Sequence, residues 1–344
     1  MIRLKPFCQL LLARLREAFR EPEVIFWVFG FPILLSVGLG LAFRNKPPDQ
    51  ILVAVQERAE AEGVAKTLNA DRQFRAEVCP PADCATRLRL GKVGLIVVPG
   101  QSFEYRYDPT RPESLLARTL VDDALQQAAG RRDPMVAIDR PATEPGARYI
   151  DFLIPGILGM NIMSGGMWGV GFMTVDMRIR KLLKRLVATP MRRSEFLAAV
   201  MAGRVLFTVI ELVLLLVFGW LVFHIVIRGS LLTALIISLL GAFCFGALGL
   251  LVASRAQKIE TVSGLMNLIM LPMFVFSGIF FSADRFPDWL QPAIRALPLT
   301  TLNDALRAVL TEGAGFASQV GRMGYLALVT VVCFALSLRL FRWT

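Results

Sequence analysis

The chain has 344 residues, of which 55% are hydrophobic and 19% are charged, and its formal net charge is +11 at pH 7. Soluble domains average about a quarter charged residues, and a mean hydropathy of +0.56 excludes an ordinary water-soluble protein. Apolar stretches of about 20 residues, the length that crosses a bilayer, occur at 24–43, 150–175, 205–227, 231–253, 262–281 and 323–340. The sequence therefore predicts a mainly α membrane protein with six transmembrane helices.

The N-terminal residues 1–23 precede the first predicted span. Their leucines fall on one helical face, and basic side chains such as Arg14 and Arg16 fall on the others. This pattern predicts a cytoplasmic amphipathic helix at the membrane interface. The apolar run 24–43 is too long for a cleavable signal, and no small-residue cleavage site follows it. It is therefore predicted to be the first transmembrane helix.

The segment 44–148 differs in pattern from the rest of the chain, because strand-like apolar runs alternate in it with helix-like stretches. Strands are predicted at 51–55, 74–79, 94–99 and 103–108, and helices at 59–68, 82–90 and 113–129. Such alternation is typical of an α/β fold. The sequence thus predicts an α/β domain between the first and second transmembrane helices.

Lysine and arginine residues collect at particular places along the chain. They precede the first span, fill the segment 176–204 and recur beside later spans, for instance at Arg255 and Arg339. Because basic residues mark the cytoplasmic side of short loops, both termini are predicted to be cytoplasmic. This arrangement fits a multi-pass membrane protein. The α/β domain is then extracytoplasmic.

Two of the five cysteines, Cys79 and Cys84, lie in this α/β segment, within the sequence CPPADC. The extracytoplasmic compartment is oxidising, which favours a small disulfide loop. The spacing alone does not determine the geometry that a disulfide needs. A disulfide and two free thiols therefore both remain open.

The region 149–344 is predicted to hold five transmembrane helices, the loop 176–204 and a more polar outer segment, 282–315. In that outer segment, leucines recur at helical spacing, with Asp304 and Arg307 on the other face. This predicts an amphipathic or re-entrant helix at the outer interface, with a plain surface helix as the alternative. Small residues in GGMWG, at 165–169, predict close contacts between helices.

The sequence lacks the motifs of common catalytic sites. It has no G-x-x-x-x-G-K-[ST] phosphate loop, no H-E-x-x-H and no G-x-S-x-G. Its single histidine, His224, excludes a multi-histidine metal site. We therefore predict no catalytic residue, no metal site and no cofactor bound by this chain. Any work that it performs takes energy from an ion gradient or from a partner.

Three polar residues within the predicted spans are candidates for a substrate pathway: Asn161, Glu211 and Asn267. A buried acid in a membrane is costly, so Glu211 is expected to face the bundle interior or water. Alternatively, Glu211 lies within about two helical turns of the cytoplasmic edge and pairs with Arg204 or Arg192.

The segment 176–204 is the densest cluster of positive charge. Its apolar residues recur at helical spacing and its basic residues occupy the other faces. The basic candidates are Arg178, Arg180, Lys181, Lys184 and Arg185. Thr189 and Pro190 end the predicted helix, since proline disfavours helical geometry in the residue before it.

This basic segment has three candidate binding partners: anionic lipid, nucleic acid and a cytoplasmic protein. Nucleic-acid binding needs a folded reading module, and the cytoplasmic segments contain none. Anchoring to lipid and docking of a protein both remain open.

Together these features resemble the permease subunits of ABC exporters of the second type, which include bacterial drug, lipid and polysaccharide exporters. The resemblance covers essentially the whole chain. It rests on the order of an amphipathic helix, one span, a large outer domain and five spans, and on the segments RKLLKRLVATPMRRSEFLAAVMAGR and ALPLTTLNDALRAVL. It implies the permease subunit of an ATP-driven exporter, with a hydrophobic or amphipathic substrate such as a drug or a lipid.

The resemblance also implies partners. Two permease copies, identical or different, would pair, each served by a separate cytoplasmic ATPase that binds ATP and Mg. A coupling helix at 178–187 would sit in a cleft of the ATPase, and the outer domain would meet a periplasmic adaptor. The alternative is an ion-coupled transporter, or a membrane receptor whose α/β domain binds a ligand. Such a transporter would require Glu211.

Overall fold

The structure of the chain is a computed structural model that describes residues 16, 20–42, 50–100, 102–131, 148–181, 193–256 and 258–340. It divides into two compact units, each with its own core. One comprises Asn45–Ala142, and the other comprises Met1–Arg44 together with Thr143–Thr344. The predicted N-terminal amphipathic helix falls mostly outside the described residues.

The helical unit begins with an apolar helix, α1. It consists of an α-helical turn at Pro22–Ile25, a π-helical segment at Phe26–Gly30 and an α-helical part at Phe31–Ala42. Its apolar part, Phe26–Ala42, is about 26 Å long at 1.5 Å per residue. The hydrocarbon core of a bilayer is about 30 Å thick. This apolar part is somewhat shorter than the predicted first span, 24–43.

The α/β unit contains each strand and helix predicted for it, and no bound differs from the prediction by more than two residues. Its elements in chain order are β1 (Ile51–Gln56), α2 (Ala61–Asn69), β2 (Phe74–Cys79), α3 (Pro81–Arg89), β3 (Leu95–Val98), β4 (Glu104–Arg106) and α4 (Pro112–Ala128). The strand order is β2-β1-β3-β4. Strand β1 is parallel to β2 and β3, and β4 is antiparallel to β3.

Alternation along the strands gives this sheet two different faces. On β1, Val53 and Val55 pack with α2 and α4, whereas Ala54 packs with α3 on the opposite face. The outer edge of β2 is closed by a side chain: Asn69 donates to the Ala76 carbonyl at 3.0 Å and accepts from the Ala76 amide at 2.8 Å. A side chain that occupies these backbone groups protects the edge from pairing with another strand.

Cys79 and Cys84 form a disulfide that joins the end of β2 to the first turn of α3, and both are buried. The chain has five cysteines, so three of them lie outside this disulfide. We therefore expect the denatured chain to take up three alkyl groups without reductant and five after reduction, as measured by mass spectrometry. Uptake of five groups without reductant would contradict the bridge.

In the second part of the helical unit, the described residues form seven α-helices. They are α5 (Tyr149–Ile179), α6 (Arg193–Phe223), α7 (Leu231–Ala253), α8 (Ile259–Phe276), α9 (Gln291–Arg295), α10 (Pro298–Leu310) and α11 (Val320–Leu340). Among the described residues, five helices are long and apolar enough to cross a membrane: Tyr149–Ile179, Met201–Phe223, Leu231–Ala253, Ile259–Phe276 and Phe316–Leu340. With the shorter α1, they correspond to the six predicted spans.

Helix α5 is the central helix of this unit and packs against α1, α6, α7 and α10. Its contact with α7 depends on glycines: a Cβ at Gly171 would lie 2.6 Å from the Gly249 carbonyl oxygen, and one at Gly249 would lie 2.9 Å from that of Gly166. The close contact predicted from GGMWG is thus present. Gly169, however, has nothing within 4 Å of its Cβ position, because a π-helical segment, Met167–Phe172, changes which residues face α7.

Helix α10 is the helix predicted within the outer segment 282–315. Its apolar residues are buried, and the helix packs against α5 and α7. A plain surface helix, the alternative considered from the sequence, would leave one face in solvent. Ten of its thirteen residues are buried instead.

Candidate functional site

The basic segment begins where α5 ends. The helix runs to Ile179, and Lys181 has φ 56°, a left-handed conformation that commonly ends helices. The prediction of one helix over 178–187 is therefore wrong at its start, since Arg178 belongs to α5. A coupling helix can begin only after Lys181. The other predicted coupling residues lie outside the described residues: Lys184, Arg185, Thr189 and Pro190.

Arg178 points back toward the helical unit. Its Nη1 donates to the carbonyl oxygens of Ala253, at 3.0 Å, and Ala256, at 2.9 Å. Ala253 is the last residue of α7, and Ala256 lies in the turn before α8. The last carbonyls of a helix lack partners within the helix, and a cation is favoured there. Arg178 therefore joins the end of α5 to the turn between α7 and α8.

Arg180 differs from Arg178 in its environment. Its Nε donates to Asp176 at 2.9 Å, and its side chain is 69% exposed. Exposed ion pairs contribute little to stability. Arg180 is thus accessible to a cytoplasmic partner or to lipid, which remains its predicted role together with Lys181.

The end of α6 is held by another arginine, Arg148. Its guanidinium donates to the carbonyl oxygens of Phe223, at 2.9 Å, and His224, at 3.3 Å. Asp151 accepts two hydrogen bonds from the same group, each of 3.0 Å. His224 is thus the residue after the end of α6, and its backbone rather than its ring carries this contact.

The end of α8 is held by two side chains of α10. Asn303 Nδ2 donates to the Ser277 carbonyl at 2.8 Å, and Arg307 Nη2 donates to the Gly278 carbonyl at 2.8 Å. The Arg307 guanidinium also lies over the Phe152 ring, 3.7 Å from its centre. The sequence places Arg307 with Asp304 on the face opposite the leucines, but the Arg307 side chain is only 16% exposed and its guanidinium contacts protein. Its charge complements the carbonyl end of α8.

Glu211, the predicted pathway acid, forms a buried ion pair with Arg204. Arg204 Nη1 donates to one carboxylate oxygen at 2.9 Å and Nη2 to the other at 3.3 Å, and Nη2 also donates to the Ile162 carbonyl at 3.1 Å. Glu211 is 1% exposed and Arg204 8%. One of the two partners proposed from the sequence is thus the observed one.

The guanidinium of Arg204 fits between α5 and α6 because position 165 is glycine. Any Cβ there would overlap the guanidinium atoms. Arg204 and Glu211 lie two helical turns apart on α6. The hydrogen bond from Arg204 to the Ile162 carbonyl joins this pair to α5. A buried pair is strongly destabilised when one partner is removed, so this contact fixes α6 against α5.

Asn161, the second predicted pathway residue, is also buried between helices. Its Nδ2 donates to the Val28 carbonyl at 2.8 Å, in the π-helical segment of α1. A π-helical segment displaces the regular backbone hydrogen bonds, so a carbonyl there can accept from a neighbouring helix. Asn161 thus joins α5 to α1.

Of the three predicted pathway residues, Asn267 is exposed, whereas the other two are buried. It lies in the middle of α8, one turn from Gly264, whose Cβ position has nothing within 4 Å. Among the His, Cys, Asp and Glu residues that the structure describes, no three come together as a metal site requires.

Residues 101–339 match the ABC-2 family transporter protein family. The match begins within the α/β unit, just before β4, and extends from there through α5–α11. The helices and arginine contacts described above, from Arg148 to Arg307, therefore all lie within the matched range.

The chain is similar to three characterised proteins over parts of its length. It is 23% identical to ABC transporter G family member 20 of Dictyostelium discoideum, over 64% of this chain and 30% of that protein. It is 25% identical to the daunorubicin resistance ABC transporter permease protein DrrB1 of Streptomyces coeruleorubidus, over 56% and 69%. It is 31% identical to Nodulation protein J of Rhizobium leguminosarum bv. trifolii, over 33% and 43%.

The chain thus spans less than half of two of these relatives, and about two thirds of the third. The family match, by contrast, covers more than half of this chain and takes in the five helices that, among the described residues, are long enough to cross a membrane. This chain belongs to the ABC-2 transporter family and is a multi-pass membrane permease of that family.

Proposed function

We propose that this chain is the transmembrane permease subunit of an ATP-driven exporter, working with a separate cytoplasmic ATPase that binds ATP and Mg. The observation that carries the proposal is the family match over residues 101–339. The sequence has no phosphate loop of its own, which is consistent with an ATPase on another chain. The proposed substrate is hydrophobic or amphipathic, a drug or a lipid-like molecule. The name of the daunorubicin resistance relative supports this class.

The proposed location is a bacterial inner membrane, with both termini cytoplasmic and the α/β unit extracytoplasmic. The distribution of basic residues supports this orientation, and the Cys79–Cys84 disulfide supports an oxidising compartment for the α/β unit. The α/β unit is then the part of the chain available to a periplasmic adaptor. Exposed basic residues such as Arg180 are available to anionic lipid.

An ion-coupled transporter is the competing function. It needs an acid in the membrane that gains and loses a proton or binds an ion. The Glu211 carboxylate is held by two hydrogen bonds from Arg204, so its charge is already neutralised by a partner. This arrangement favours a structural role for Glu211 and weakens the ion-coupled alternative.

Coupling to the ATPase is proposed to run through the basic segment after α5. Reversing the charges of Lys181, Lys184 and Arg185 with glutamate is expected to leave membrane insertion intact. Export per ATP hydrolysed should fall by about tenfold or more, the loss of roughly 1.4 kcal/mol or more of coupling. The measurement is ATP-driven transport by proteoliposomes that contain the permease and its co-purified ATPase. Unchanged export would contradict the coupling role.

Helix α8 is proposed to face a second permease copy across the substrate pathway. Its outward side chains Leu268, Leu271 and Val275 are each more than half exposed, and Asn267 lies among them. A polar residue within a span faces protein or a water-filled cavity rather than lipid. The exposed residues in the middle of α11, such as Leu328, Val331 and Val332, are all apolar, so Asn267 distinguishes α8 from that part of α11.

Cross-linking between copies tests this placement. In a background in which Cys8, Cys244 and Cys333 are replaced by alanine, we expect Asn267→Cys to give a cross-linked dimer with a short bifunctional maleimide in membranes. Leu328→Cys, on α11 and 61% exposed, is the matched control and should stay monomeric. Dimers at position 328 alone would move the interface to α11.

A further inference from the structure

The contact of Arg178 with the turn after α7 suggests a role that differs from direct contact with the ATPase. We propose that Arg178 is a positioning residue that transmits movement of the basic segment to α8. This inference rests on the proposed function, in which that segment is moved by a cytoplasmic ATPase. It assigns Arg178 to the connection between the segment and the pathway helix, and leaves the docking surface to the residues that follow.

The first part of the argument is where Arg178 lies in the chain. It is in the last turn of α5, one residue before the helix ends, so any displacement of the basic segment acts directly on it. Its neighbour Ile179 is 41% exposed and Arg180 is exposed, whereas Arg178 is half-buried. The guanidinium is therefore held on the protein side of the helix end.

The second part is what the guanidinium holds. Nη1 bonds Ala253, which ends α7, and Ala256, in the turn that leads to Lys258 and the start of α8. Ala253 and Ala256 are 0% and 3% exposed, so water does not replace these hydrogen bonds while the contact is closed. A displacement of Arg178 must therefore either carry the turn with it or break both hydrogen bonds.

The third part of the argument is how α8 is packed. Its inward side chains Val262 and Met266 are fully buried, but Leu268, Leu271 and Val275 are each more than half exposed. Helix α8 is thus held along one side only, and its first residue follows the turn that Arg178 holds. Movement of that turn is carried to Asn267, two to three helical turns along α8.

The C-terminal end of the basic segment makes different contacts. Arg204, at the beginning of the membrane part of α6, binds the Ile162 carbonyl of α5 and Glu211 of α6 itself. That contact keeps α5 and α6 together. Arg178 therefore connects the segment to the α7–α8 turn. Arg204 holds together α5 and α6, the two helices that flank the segment.

The test uses Arg178→Gln, which is shorter and uncharged, in the full-length permease co-purified with its ATPase. Arg339→Gln is the matched control, because it removes the same kind of charge from an exposed position at the end of α11, outside the basic segment. A cysteine at Asn267, in the background without Cys8, Cys244 and Cys333, reports α8 through its rate of maleimide labelling with and without ATP. ATPase association, ATP hydrolysis and export are measured on the same samples.

For Arg178→Gln, we expect ATPase association and hydrolysis within about twofold of the parent protein. The ATP-dependent change in labelling at position 267 and the export per ATP should both fall about tenfold. Arg339→Gln should keep both. If the glutamine variant does not fold and insert into the membrane, Arg178→Lys carries the test, since it keeps a cation at the helix end. It is expected to lose part of the labelling response.

Two results would overturn the inference. One is an unchanged ATP-dependent labelling response in Arg178→Gln. The other is loss of ATPase association in that variant, which would make Arg178 part of the docking surface. Failure of the proposed function would be recognised separately, because the parent protein would then show neither ATPase association nor any response to ATP.

Discussion

Replacing Arg204 with methionine is expected to cause the largest loss of stability among the changes considered for this protein. The substitution leaves the Glu211 carboxylate, 1% exposed, without its cation inside the membrane part of the helical unit. Removing one partner of a buried pair costs about 3–5 kcal/mol. We expect a lower thermal unfolding midpoint in detergent and a smaller fraction of monodisperse protein, both measured by fluorescence-detected size exclusion after heating.

The double variant Arg204→Met with Glu211→Leu is the control for this prediction. Replacing both members of a buried pair with apolar residues of similar size is often neutral or stabilising, so the double variant should recover most of the lost stability. The pairing explanation would be wrong if the double variant were as unstable as the single one. Recovery of stability without recovery of export would show that the pair serves transport as well as folding.

The second large effect is expected at Gly171, where α5 and α7 are in close contact. A Cβ there would lie 2.6 Å from both the Gly249 carbonyl oxygen and the Met266 Cε. The methionine can move, but the backbone of α7 cannot move without separating the helices. Overpacking of this kind costs about 1–3 kcal/mol. Gly171→Ala should therefore lower the unfolding midpoint in the same heating assay.

Gly169 offers a matched control on the same helix. It has nothing within 4 Å of its Cβ position, and alanine is a better helix former than glycine by about 1 kcal/mol. Gly169→Ala should be neutral or slightly stabilising. Equal losses at positions 169 and 171 would mean that helix flexibility, and not close contact with α7, is what these glycines provide.

The α/β unit could be predicted almost completely from the sequence, because its elements end at strong local signals. Gly91 and Gly130 adopt positive φ at the ends of α3 and α4, where a residue with a Cβ is strained. Buried strands such as Leu95–Val98 are continuous apolar runs. What could not be predicted was the strand order, since pairing depends on contacts between segments that are distant in the chain.

The helical unit was harder to predict beyond its spans. The π-helical segments of α1 and α5 follow no periodic pattern in the sequence, and they determine which glycine meets α7 and which carbonyl accepts from Asn161. The pairing of Glu211 with Arg204 was foreseen as one of two choices, since both residues lie on the same helix. The contacts of Arg178 could not be foreseen, because the two carbonyl groups that it binds are 75 and 78 residues away in the chain.

The arginines at the helix ends also affect how this protein responds to ionic strength. Arg148, Arg178 and Arg307 each direct a guanidinium at the carbonyl end of a neighbouring helix, so much of their charge is compensated within the protein. The formal charge of +11 therefore overstates the positive potential at its surface. Salt screens exposed charges over about 8–10 Å and has little effect on buried contacts. Association with an acidic partner should accordingly weaken with added salt less steeply than the number of basic residues suggests.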